Sequence, residues 1–114
     1  MLMTQNRNKL LNHFIGHAVM TVVHRILAQA TSDISLQEKY DKEIENSLSI
    51  TLSYREKLNP AHPFQTRESL DIRDQIIQRV HSELRRRINL GYKNLDVSKV
   101  ENEVDAFLKE MKII

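Results

Sequence analysis

The sequence predicts an all-α protein, an up-and-down bundle of four helices, on three observations. It holds only two glycines and two prolines in 114 residues, whereas an average chain carries about 12% of the pair and a β-sandwich or barrel needs such punctuation at every turn. Apolar residues recur at spacings of three and four along four separate stretches, which is the period of a helix face. One segment alone alternates like a strand, SLSITLSY from Ser47 to Tyr54, and no second such run exists to satisfy its backbone donors and acceptors.

The first helix is expected over residues 5–30. Leu11, Ile15, Ala18, Val22 and Ile26 form one stripe, widened on both sides by Leu10, Phe14, Val19, Val23 and Leu27. That face exceeds the roughly 100° a surface helix needs. Thr31-Ser32-Asp33 then interrupts the pattern with polar capping residues. The second helix is expected over residues 35–58, with Ser35 and Glu38 as a capping box. It stops before Pro60, because a residue preceding proline avoids helical geometry. Read as helix, SLSITLSY puts Leu48 and Leu52 on one side and Ile50 and Tyr54 well around from them, at roughly 100° per residue. The helix is therefore apolar in two directions. Residues 59–65, NPAHPFQ, contain both prolines and read as a stiff, extended connector.

The third helix is expected over residues 66–90, with Ile72, Ile76, Ile77, Val80, Leu84 and Ile88 facing the core. Gly91 follows where a left-handed residue closes a helix, and Arg85, Arg86 and Arg87 sit at the negative end of its dipole. The fourth helix, over residues 97–112, opens at Asp96 or Ser98, with Ser98 and Glu101 as a second capping box, and carries Val97, Val100, Val104, Phe107, Met111 and Ile114 on one seam. The whole chain is one domain by length. Helices one and two hold more apolar surface than so small an interior hides, so the bundle is expected to self-associate through them, as a homodimer, or to bind another protein there.

Composition excludes several kinds of chemistry. With no cysteine, disulfides, thiolate metal sites and cysteine nucleophiles are ruled out. A net charge of +2 is a mild excess, short of a dedicated polyanion binder. No run approaches a membrane span. Arg7 and Lys9, an apolar stretch and Ala28-Gln29-Ala30 imitate a secretory leader, but Asn12, His13 and His17 interrupt the stretch and Arg25 precedes the cleavage site. The protein is expected in the cytoplasm.

His13, His17, Met20 and His24 lie at spacings of four, three and four, on one line opposite the centre of the apolar stripe. Two imidazoles at i, i+4 can chelate a metal, but no carboxylate shares the line. The line reads instead as a polar seam at solvent or a partner, and neither metal nor cofactor is expected. The contact with another protein or a second copy is expected at His13, His17, His24, Ile50 and Tyr54. Its basic rim would come from Arg79, Arg86 and Arg87, within the run Arg79, Arg85, Arg86, Arg87 and Lys93. The same run is a possible polyanion site. Nucleic acid ranks second as a partner, because the following helix carries Asp96, Glu101 and Glu103, which repel phosphate. No glycine-rich phosphate loop, paired-acid motif or nucleophile elbow is present, so no catalytic residue is assigned. Enzyme activity is left undecided, with the balance against it.

Arg7-Asn8, a four-residue spacer and His13 resemble the arginine–polar–spacer–histidine motif of the all-helical ribonuclease superfamily named for higher-eukaryote and prokaryote nucleotide binding. The resemblance covers seven residues. It implies a helical dimer in which Arg7 and His13 of both subunits form a composite RNA-cutting site. This chain departs from the pattern in placing the motif on its first helix rather than a late one. The leading expectation is a small protein-interaction module of adaptor, regulator, immunity or inhibitor type that buries an apolar helix face against its partner.

Overall fold

Helix α1 (Leu2–Ala30) runs nearly the length of the molecule: 29 residues at about 1.5 Å each reach about 43 Å, and the longest dimension is 47 Å. The computed structural model describes residues 2–58 and 64–114. Helices α2 (Ile34–Lys57), α3 (Thr66–Asn89) and α4 (Val100–Glu110) follow, with a 3-10 turn at Val97–Lys99 leading into α4. Among the described residues there is no strand. SLSITLSY is helical, as the missing pairing partner requires.

Cross-chain contacts give the topology. Thr21 meets Ser47 and His24 meets Glu43, while His13 meets Tyr54, so α2 runs antiparallel to α1. Arg7 pairs with Glu68 and Gly16 lies against Arg79, so α3 runs parallel to α1. Arg25 pairs with Glu110 and Gln29 with Glu103, while Ser69 meets the Ile113 carbonyl and Arg73 meets Asp105, so α4 runs antiparallel to both α1 and α3. The result is an up-down-up-down bundle in which α1 touches every other helix.

That central position corrects one expectation. The wide apolar face of α1 needs no second subunit, because α2, α3 and α4 cover it: Phe14, Ala18, Val22 and Val23 are fully buried and Val19 is 5% exposed. Ile72, Ile76, Val80 and Leu84 of α3 and Val100, Val104, Phe107 and Leu108 of α4 complete this core.

The helix ends differ from the sequence reading in instructive ways. The cap of α2 is Asp33, not Ser35; its Oδ1 accepts from the Ser35 and Leu36 amides. A carboxylate there also suits the positive end of the helix dipole. Of the two expected openings before α4, Asp96 is the cap, its carboxylate accepting from the Ser98 amide. The first turn is then 3-10, which leaves Val97 exposed. Gly91, at φ 101°, closes α3 as expected, with the Gly91 amide on the Ile88 carbonyl and the Tyr92 amide on that of Arg87. The helix ends sooner than a full stripe would need, and Ile88 stays exposed. The same motif closes α4 at Lys112, φ 56°, where the Ile113 amide bonds the Leu108 carbonyl. This reversal shifts the side-chain phase by one residue, so Ile113 is buried and Ile114 exposed, the opposite of the periodic expectation. Of the expected connector 59–65, residues 59–63 lie outside the described residues; Phe64 and Gln65 are not helical.

Candidate functional site

The imidazole line of α1 lies in the seam with α2, where α2 supplies two tyrosine rings. Tyr54 stacks on His13 at 5.1 Å and 14°, and on His17 at 5.8 Å and 11°. The Lys57 ammonium sits 5.3 Å from the same ring. One end of the line is closed: Tyr40 stacks on His24, and the His24 Nε2 donates to the Glu43 carboxylate at 2.7 Å. Of the residues expected at the contact, His24 is therefore buried and His17 and Tyr54 are half-buried within one chain. His13 and Ile50 remain exposed.

Burial pushes the His24 imidazole below its ordinary value; Glu43 pulls it up, Arg87 adds to the lowering, and the Met20 carbonyl and Glu83 oppose it. Tyr40, Glu43, Glu83 and Arg87 thus surround this ring from α2 and α3. The native state binds its proton less readily than the unfolded chain, whose imidazole titrates near about 6.5. The stability linked to His24 is present above that pH and is lost as pH falls from there toward the ring's lower folded value. Stability measured by urea denaturation from pH 7.5 to 5 is expected to fall, and His24→Phe to flatten that slope. An equal slope in both proteins would contradict the assignment.

The basic run does not form one patch. Arg86 and Arg87 both turn to Glu83 on their own helix, at 2.6 and 3.5 Å. The Arg86 hydrogen bond, helped by Arg87, holds the Glu83 carboxyl below the usual range. Arg87 also lies 5.5 Å from the Tyr92 ring. Arg79 lies beside Gly16, at a distance that a Cβ there would also tolerate. Arg85 is exposed, and Lys93 lines a cleft at the far end of the bundle. The salt bridge that does span α3 and α4 is made by Arg73, with Asp105 at 2.6 Å. Arg7 is held by a bidentate pair with Glu68, both contacts at 2.7 Å, and lies over Phe64. Arg7 and His13 thus engage different helices, α3 and α2. Among the described residues no group of three His, Asp or Glu side chains converges as a metal site.

The inward line of α2 is Tyr40, Ser47, Thr51 and Arg55. The Ser47 and Thr21 hydroxyls hydrogen-bond at 2.9 Å, and Thr51 donates to the Ser47 carbonyl at 2.6 Å. These small groups let α1 and α2 approach closely. Leu48 and Tyr54 flank this line and pack against the core, whereas Ile50, 42% exposed, and Leu52, 43% exposed, lie farther out on opposite flanks. Leu48, Ser49, Leu52 and Ser53 form a shallow furrow on the outer face, bounded by Glu45 and Glu56. Arg55 was missed because a search for apolar stripes passes over it, although the spacing 40, 47, 51, 55 is as helical as any apolar stripe. It is buried, with Nε donating to the Met111 carbonyl at 2.7 Å, Nη2 to the Lys112 carbonyl at 3.1 Å, and Phe64 against its guanidinium.

No protein-family model, no curated protein and no solved structure matches the chain.

Proposed function

We propose that the protein is a protein-interaction module of adaptor or regulator type, acting in the cytoplasm, whose working surface is the outer face of α2. The supporting observation is that α2 buries Ser47 and Thr51 and leaves Leu52 at the surface, beside Leu48 in the furrow. A helix that served only its own bundle would gain more by the reverse arrangement. That no described helix is long and apolar enough to cross a membrane agrees with this reading.

The rim chemistry selects the partner. Glu45 and Glu56 frame Leu48 and Leu52, so the fitting occupant is an amphipathic helix with an apolar seam and basic flanks. A second copy fits less well: antiparallel pairing of two α2 helices about Ser49 and Leu52 would bring Glu45 against Glu56. His13, Arg79 and Arg86 lie off this face and act at most as an outlying rim. Nothing in the site favours the nucleic-acid reading over this one.

The test is a photo-crosslinking residue at Ser49 of the full chain, expressed in its host. A discrete cross-linked product is expected, at a mass other than twice that of the protein, and Leu52→Glu should abolish it. No discrete product, or one that survives Leu52→Glu, would overturn the reading. A product at twice the mass would replace the basic helix by a second copy.

A further inference from the structure

The bundle end formed by the α1–α2 turn and the α3–α4 connection carries a separate feature. A cleft of about 420 Å³ opens there, lined by Leu27, Ala30, Leu36 and Leu95 together with Tyr40 and Tyr92. Both rings are fixed by contacts behind them. Tyr40 rests on His24, and Tyr92 on the Arg87 guanidinium, which Glu83 holds in turn. Gly91 and Asn94, at φ 101° and 64°, arch the connection so that it stands off the opposite turn. Ile34, Leu36, Leu90 and Tyr92 are all exposed around this end.

The lining fixes the ligand class. Lys93 is its one charged residue, with no carboxylate opposite, and Thr31, Ser32 and Asn94 add neutral donors. From this arrangement we infer that the cleft binds a small amphipathic anion, with a flat apolar body between Tyr40 and Tyr92 and its acidic group on the Lys93 ammonium. A cation of the same shape gains no partner there and meets Lys93 as a like charge. The pre-set rings lower the ordering cost of binding. This site is distinct from the α2 face, and either can fail without the other.

The experiment titrates the full chain with 2-naphthalenesulfonate and with 2-naphthylmethylammonium, following the leucine methyl and tyrosine ring resonances. Saturable one-to-one binding of the sulfonate is expected, with shifts at Leu36, Leu95, Tyr40 and Tyr92, and about tenfold tighter than the ammonium. Lys93→Glu, an exposed position with no effect on folding expected, should reverse that order. The inference is overturned if the sulfonate does not saturate, if both probes bind equally in the wild type, if Lys93→Glu leaves the order unchanged, or if the shifts fall at Leu48 and Leu52.

Discussion

Replacing Arg55 by leucine is expected to lower stability by about 2–4 kcal/mol, although the substitution makes the site more hydrophobic. Arg55 is a buried cation with no carboxylate partner among the described residues. Burial makes its guanidinium give up a proton more easily than usual, without neutralising so basic a group. It is tolerated because it sits at the C-terminal end of α4, where the Met111 and Lys112 carbonyls accept from it and the helix dipole is negative. Leucine would leave both carbonyls without that donor, each at a cost of about 1–3 kcal/mol. The last residues would also lose their tie to α2 and keep only the Ser69 hydroxyl, which donates to the Ile113 carbonyl at 2.9 Å. At roughly 4 °C per kcal/mol for a chain of this size, thermal melting should drop by roughly 8–16 °C. Faster amide exchange at Ile113 should accompany it. A variant with the wild-type melting temperature would mean that the C-terminal segment is held by packing alone.

Phe14→Ala is expected to cost about 3–5 kcal/mol, the range for deleting a fully buried aromatic side chain. Phe14 is fully buried on the central helix. The diagnostic part is concentration. Because α1 is covered by its own chain, the melting temperatures of wild type and variant should both be independent of protein concentration. A homodimer built through α1 would instead show melting that rises with concentration and a loss that grows on dilution. That outcome would restore the interface which the burial of Val19 and Val23 removes.

Much of this architecture could be read from the residues, and the reason is period. Four stripes at spacings of three and four, with very few glycines and prolines, leave little choice but helices, and Gly91 marks a helix end by its φ alone. What escaped was whatever depends on which neighbour a face meets. The wide face of α1 said that it is surrounded, but not by what; its own three companions turned out to suffice. Arg55 was hidden because an inward polar group is judged by its partners, here the Met111 and Lys112 carbonyls, which lie far away in sequence. The histidine line was visible as a line, yet Tyr54, Tyr40 and Glu43 decide what it does. Ile114 and Ile113 exchanged roles for a purely local cause, the left-handed Lys112 between the helix and its tail. Charge was the least legible: Arg86 and Arg87 read as free cations in sequence and share Glu83 in space.

The orientation of α2 can be measured directly with a reciprocal pair of variants, Ser47→Leu and Leu52→Gln, unfolded in urea. Leucine at position 47 must fit where two helices meet through hydroxyls 2.9 Å apart, so it should destabilise by about 1–3 kcal/mol. Glutamine matches leucine in helix propensity, and at the exposed position 52 it should change stability by less than about 0.5 kcal/mol. If Leu52→Gln instead costs as much as a core truncation while Ser47→Leu is harmless or stabilising, α2 packs the other way round, and the outer apolar face disappears along with the partner proposed for it.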